Sequence, residues 1–420
     1  MTSRTILIIF ILFFIMEFIV NAVLILLNIR ESKKNRGSVP IWFRDYIDKQ
    51  RYEKSTAYTI EKGFLTLLSD SVSSVVVLTV ILTGSFGVLD ETIRRTSMHP
   101  YLVGIIYFAV LSLFFYLVSL PFKIYSQFKL EEKYGFNRMT VKIFIFDQLK
   151  GLGVSAVLLI IVLSALFFFM DKSGRLWWIL ASAGIIGFQV VLSILYPLVI
   201  APLFNKFSPL EEGELKETLE QMAERNDFSV KGIFVMDGSK RSAHSNAYFT
   251  GFGKVKRIVL FDTLIEKLTP PQLAGVLAHE ISHEKKHHLL KGLILSFFVT
   301  VFIFFILDWF MNYLPLYQAF GFHRASYHAI LVIISFCSGP FTFFLTPLFT
   351  MWSRKHEYEA DRYAVKITGN KDGLKDGLIV LAKENLTNLT PHPLYSFFHY
   401  SHPTIGERLR AIDTISLTAD

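Results

Sequence analysis

Cysteine is almost absent. Cys337 is the only one in 420 residues, so neither a disulfide framework nor a thiolate metal site can be built. It sits inside an apolar run and reads as a packing residue. Charged residues are scarce as well, at 19% of the chain, where soluble domains carry about a quarter. No internal repeat or low-complexity tract is present. No basic patch is interleaved with aromatics, so the formal net charge of +8 does not describe a nucleic-acid surface.

What fills the chain instead is apolar. Hydrophobic residues make up 52% of it, 41 of them Phe, and the mean hydropathy is +0.43. That composition predicts an all-α membrane protein. Apolar segments of spanning length occur at 5–27, 63–87, 101–122, 152–170, 176–200, 290–315 and 328–352, about seven transmembrane helices. The first is longer than a signal-peptide core and lacks a small-x-small cleavage site, so it is expected to remain as an anchor. The organisation that follows is helices 1–5 within 1–200, an inserted domain at 201–289, helices 6–7 within 290–352, and a C-terminal part at 353–420 that completes the insert.

Lys and Arg are retained on the cytoplasmic side of a membrane. Loop 28–62 carries nine of them and loop 123–151 six, whereas 88–100, 171–175 and 316–327 are short and poorer in cations. With seven spans, the insert and the C-terminal part then share the cytoplasmic face, as residues of one site must. Glu17, Asn21, Asp70 and Asp308 fall in or beside apolar spans. Such groups are costly in lipid and imply either a hydrated cavity or pairs between helices.

The stretch with most chemistry is His279-Glu280-Ile281-Ser282-His283. Residues four apart on a helix share a face, so both imidazoles can reach one zinc ion. Glu280 then stands beside the ion's open position. It can act as general base towards a water whose pKa zinc lowers towards neutral, and later protonate a leaving amine. The bare pattern fixes three positions and recurs by chance, so its context must support it. Thr269 as N-cap and Pro270 in the first turn, followed by apolar residues at helical spacing, predict a helix running into the motif.

A catalytic zinc takes a third protein ligand. Glu357 in His356-Glu357-Tyr358-Glu359-Ala360-Asp361 is the natural one, and Asp361, one turn on, can hydrogen-bond the outer nitrogen of a ligand histidine. Alone, this stretch would read as a solvated helix face with i,i+4 pairs. The insert reads as mainly α with a small β element: an amphipathic helix at 209–225 and strands at 232–236 and 257–261. Within Arg241–Gly253, the stretch Ala247–Thr250 reads as an edge strand able to hold an extended peptide by its main chain, or as a structural hairpin.

These motifs together resemble the type I CAAX prenyl proteases, an integral-membrane zinc metalloprotease family. The resemblance rests on Tyr134–Thr140 with Asp147 and Lys150, Lys240–Phe249 with Arg257–Leu264, HEISH, Glu357 to Asp361, and Tyr400–Pro403 with Glu407–Leu409. It implies a seven-helix barrel around a hydrated chamber, capped by a zincin-like domain. It also implies one zinc ion per chain on His279, His283 and Glu357, with Glu280 as base. Asn246, Ala247 and Tyr248 would bind substrate backbone, His402 would stabilise the oxyanion, and Arg408 would meet the substrate's terminal carboxylate. The substrate would be a peptide or protein, prenylated at a C-terminal Cys-a-a-X tail, and the enzyme a monomer in the bilayer. His287 and His288 match no motif and read as interfacial residues. Two other readings compete. One is an HtpX-type membrane quality-control metalloprotease, whose chains are shorter with fewer spans. The other is a transporter or channel with a structural zinc, which would have no use for Glu280.

Overall fold

The computed structural model describes residues 1–225, 232–250 and 257–416. Uninterrupted apolar sequence behind a hydrogen-bonding residue folds into long helices. In α1 (Ser3–Asn35), the Thr2 hydroxyl accepts the N–H of Thr5 at 3.2 Å. Asp48 caps α2 (Lys49–Leu82) by accepting from the N–H of Arg51 at 2.7 Å. Next come α3 (Pro100–Tyr134), α4 (Val141–Lys172) and α5 (Gly174–Phe204).

The chain then builds a four-stranded sheet from β1 (Phe207–Pro209), β2 (Ile233–Met236), β3 (Ala247–Thr250) and β4 (Arg257–Phe261). Helix α6 (Glu214–Arg225) lies between β1 and β2, and α7 (Pro270–Lys285) follows β4. Helix α8 (His288–Phe310) returns to membrane length. It is followed by α9 (Tyr327–Phe343), α10 (Thr346–Thr368), α11 (Lys371–Glu384), α12 (Pro393–His399) and α13 (Ile405–Asp413).

Among the described residues, α1 to α5 and α8 are long and apolar enough to cross a membrane, and α9 with α10 makes a seventh span if the bent pair is counted as one. The single span expected at 328–352 is therefore broken, with a bend of 66°. Pro347 in the first turn of α10 cannot continue the ladder of α9, because proline has no N–H to give. The insert differs from expectation too. Residue 209 belongs to β1, and the amphipathic helix begins only at Glu214. The N–H of Leu210 is taken by the Ile233 carbonyl at 2.9 Å, which extends the sheet contact instead of opening a helix.

The short loops gather at one end. Tyr101 and Tyr327 both donate to Asp171, at 3.1 and 3.4 Å, and His328 meets Asp90 at 2.7 Å, so the ends of α3, α4 and α9 meet there. An aromatic core including Phe86, Tyr107, Phe167, Trp177, Phe320 and Phe322 packs beneath them. The cation-rich loops lie with the sheet and α11 instead. Arg51 donates to the Lys383 carbonyl at 3.1 Å, Ser55 to that of Thr387 at 2.8 Å, and Arg241 forks onto Asp147 of α4 at 2.7 and 3.1 Å.

Strand order is β1-β2-β4-β3, with β2 parallel to β4 and the outer pairs antiparallel. Ala247–Thr250 is thus an edge strand. Gly251–Gly253 lie outside the described residues. The core of this half joins Leu273, Leu277 and Ile281 of α7 to Ile258 and Leu260 of the sheet and to Leu374 and Leu378 of α11.

Helix α7 approaches α11 closely at Gly275, where an added Cβ would stand 2.7 Å from the backbone of Leu374. Backbone cannot swing aside as a side chain can. G275A is therefore expected to cost about 1–3 kcal/mol, seen as a lower midpoint in thermal unfolding of the detergent-solubilised protein. G292A in α8, where nothing lies within 4 Å of the new methyl, should leave the midpoint in place.

Candidate metal centre

The helix that carries the centre is fixed at its start. Thr269 and Gln272 form a capping box, with Pro270 behind the cap, and the Gln272 amide oxygen accepts the N–H of Thr269 at 3.0 Å. Leu273, Leu277 and Ile281 bury one stripe of α7, and Ala278 is fully buried. Helix α10 crosses beside it with Ala360 and Ala364 equally buried. Small side chains at the crossing let the two backbones approach, and that approach brings Glu357 to the histidines.

His279, His283 and Glu357 meet as the spacing suggested. The two Nε2 atoms lie 3.1 Å apart. His279 Nε2 is 3.3 Å from Glu357 Oε2, and His283 Nε2 is 3.4 Å from Oε1. An ion held tetrahedrally by nitrogen and oxygen at about 2.0–2.1 Å spaces its ligands about 3.3 Å apart. The three separations, the last two to different oxygens of Glu357, lie near that spacing. Glu357 Oε2 is buried and accepts no hydrogen bond, a costly condition for a carboxylate oxygen unless a cation satisfies it. The donor set therefore fits one divalent ion.

Behind the centre, His279 Nδ1 lies 2.9 Å from Asp361 Oδ1. Asp361 in turn accepts from Arg408 of α13 twice, Nε to Oδ2 at 2.8 Å and Nη2 to Oδ1 at 2.6 Å. Arg408 is 6% exposed, with Nη1 3.9 Å from Glu357. Its Nε and Nη2 are thus engaged by Asp361 inside the protein.

The two facing imidazoles differ electrostatically. Burial and the Arg408 guanidinium oppose a charge on His279, but Asp361 and Glu357 outweigh them and push its pKa up to about 9. Burial, then the charge on His279, pushes His283 down to about 4. A metal held by these rings would require both to be neutral at their ligating nitrogens, so binding would compete with that proton. Burial raises the Glu280 carboxyl above its ordinary range; His279 draws it back and Glu357 adds to the rise. Glu280 is partly exposed on α7.

His402 is largely open to solvent yet directs Nε2 to within 3.3 Å of Glu357 Oε1. Its Nδ1 is paired with the Ser401 hydroxyl at 2.9 Å. Asn246 is exposed just ahead of β3 and accepts the N–H of Ala247 at 2.8 Å. Ala247 is buried and Tyr248 partly so. A cavity of about 620 Å³ runs from here towards α1 and α2, lined by Asn246, Tyr400, Tyr395, Tyr58, Asn28 and Lys62 among others.

Of the intramembrane polar residues, Asn21 donates to Asp70 at 3.2 Å, and Asp308 accepts from the indole of Trp177 at 2.6 Å. Pairing between helices thus accounts for three of the four.

His288 departs from expectation. It is buried, with Nδ1 2.9 Å from His283 Nδ1 and its ring stacked on His356 at 4.0 Å and 8°. It stands five residues beyond His283, a spacing that points away from the motif on a continuous helix. The only warning in the sequence was the His287-His288 pair itself.

Comparison with known proteins follows the same outline. Residues 28–206 match the family described as CAAX prenyl protease N-terminal, five membrane helices, and residues 209–416 match peptidase family M48. CAAX prenyl protease 1 of Saccharomyces cerevisiae is 36% identical over 415 residues, covering 92% of this chain and 90% of that protein. The CAAX prenyl protease 1 homolog of Arabidopsis thaliana is 36% identical over 378 residues, 87% and 88% of the two chains. The crystal structure of S. mikatae Ste24p superposes with a TM-score of 0.90 at 34% identity, covering 97% of this chain and 99% of that one. Length and span count had already set the chain apart from the shorter quality-control type, and these matches agree. With two family matches that together span nearly the whole sequence, the chain belongs to the CAAX prenyl protease 1 family, membrane-embedded metalloproteases of peptidase family M48.

Proposed function

We propose that the chain is a zinc endopeptidase that cuts prenylated Cys-a-a-X tails, holding one zinc ion per chain on His279, His283 and Glu357. The carrying observation is the triangle of Nε2, Nε2 and carboxylate atoms with edges of 3.1, 3.3 and 3.4 Å, one of whose oxygens has no donor. Zinc bound there supplies a Lewis acid for the scissile carbonyl and lowers the pKa of a water. The protein's own groups do the rest. Glu280 takes a proton from the attacking water and gives it to the departing amine nitrogen; a carboxyl raised by burial is suited to both directions. His402, exposed with Nε2 turned to the centre, donates to the oxyanion as it forms.

The edge of β3, entered through Asn246, Ala247 and Tyr248, pairs with an extended substrate backbone, and the cavity beside Asn246 takes substrate side chains. Asp361 holds the Nδ1–H of His279, which keeps Nε2 free as a ligand atom. Arg408 acts through Asp361, a positioning role that replaces the expected capture of a terminal carboxylate. Loop charge favours a cytoplasmic site, because the two cation-rich loops are the ones that bind the sheet and α11. Substrates reach the site from the bilayer, and a monomer carries every residue of it.

Cleavage of a farnesylated Cys-a-a-X peptide tests the reading. E280Q should keep its metal and lose at least about a hundredfold in kcat; turnover equal to wild type would end the role of Glu280 as base. E357A should lose metal as measured by atomic absorption, and full occupancy would transfer the third ligand to Glu359 or elsewhere. R408A leaves the buried Asp361 with His279 as its one remaining partner, a loss of up to about 3–5 kcal/mol. It should lower both the melting midpoint and metal retention, and slow free-acid and C-terminally amidated peptides alike. A defect confined to the free acid would return Arg408 to the substrate carboxylate.

A further inference from the structure

The three metal-facing residues are not equally supported. The side chains of His279 and Glu357 are 8% and 4% exposed, while that of His283 is 28% exposed. His279 has Asp361 at its outer nitrogen, but among the described residues no carboxylate meets the outer nitrogen of His283. What stands there is His288, Nδ1 to Nδ1 at 2.9 Å, with its other nitrogen 3.3 Å from Glu359 Oε2.

We propose that His288 is a positioning residue for the metal centre: it passes a hydrogen-bonded support from Glu359 through its own ring to His283. This rests on the reading of His283 as a ligand.

The proton placement follows from one requirement. A neutral imidazole that ligates through Nε2 carries its hydrogen on Nδ1. His283 therefore donates from Nδ1, and His288 Nδ1 must accept. The hydrogen of His288 then lies on Nε2, from which it donates to the Glu359 carboxylate. Every nitrogen in the chain has one role, and the order ends on a charge able to hold it. This is the support that Asp361 gives His279, lengthened by one imidazole.

The backbone is bent to make this possible. Five residues along a helix turn a side chain roughly 140° from the first, away from the motif. His287 breaks α7 from α8 in the left-handed region, φ 56 and ψ 34, a conformation that costs a non-glycine residue on the order of 1 kcal/mol. The break folds His288 back beneath His283. The face of His356 then sets the plane of the ring, and Trp352 braces His356 edge-on at 4.2 Å.

His288, His356 and Glu359 could also be taken for a second metal site. The stack argues otherwise. Imidazole lone pairs lie in the ring plane, and rings 8° from parallel at 4.0 Å send theirs along nearly parallel lines that do not converge on one ion.

The test is metal dissociation from the purified full-length protein into excess chelator, read by a zinc indicator. H288F keeps the stack on His356 but removes both nitrogens, and its metal should leave about 10–100-fold faster than from wild type. H288N returns an acceptor near the Nδ1 position and should recover part of that loss. E359A, at a partly exposed position, should show a smaller acceleration. H356F keeps the stacking face and should stay within about twofold of wild type.

Dissociation from H288F at the wild-type rate, with its metal-free melting midpoint unchanged, overturns the proposal. So does a second equivalent of zinc that disappears in H288F and H356F together, because the residues would then be ligands. E357A separates the two levels. If E357A also holds metal as wild type does, the metal reading itself has failed; if it alone loses metal, only the relay has.

Discussion

One carboxylate with two partners holds the catalytic half together. Asp361 of α10 meets His279 of α7 through one oxygen and Arg408 of α13 through both. A buried charge is tolerable only when it is paired and hydrogen-bonded on every side. Here that condition can be met only if three helices from distant parts of the sequence stand in one arrangement. Any shift of α10 along α7 would strand Asp361 and Arg408 together, and the same shift would pull Glu357 out of reach of the histidines. Stability and the geometry of the centre are therefore one requirement.

The remaining architecture serves that crossing. Ala278, Ala360 and Ala364 make the approach of α7 and α10 possible by offering nothing to collide with, and Gly275 does the same towards α11. The sheet packs into the same core as α7 and leaves β3 at its edge. The membrane half is joined through apolar contacts, Phe43 and Tyr52 with Ile379 and Leu409, and through polar ones. Arg241 reaches Asp147 and Asn205, and Asn388 reaches Asn28. Such contacts orient two halves whose surfaces face different solvents.

Much of this was legible because periodicity carries it. The i,i+4 histidines, the glutamate between them, and the Glu357 to Asp361 turn obey helical spacing, and spanning helices announce themselves by length. The failures lie where no period applies. Residue 209 reads as helix because its charged neighbours at Glu211 and Glu212 look amphipathic, whereas its strand partner Phe234 has the stronger claim. The 328–352 run looked continuous because apolarity says nothing about direction, and Pro347 bends it. The pairing of Arg408 with Asp361, 47 residues away, obeys no period either, and only the fold reveals it. His288 sits at a spacing that a helix forbids, and a single left-handed residue reverses the rule.

Chain order adds a consequence for biogenesis. A ribosome delivers the HEISH helix well before Glu357, Glu357 emerges only behind the last apolar segment, and Arg408 comes later still. A nascent chain thus carries two of the centre's groups through the whole period in which its helices enter the bilayer, without the third or the guanidinium that steadies the arrangement. No partly inserted copy therefore holds all three candidate ligands together.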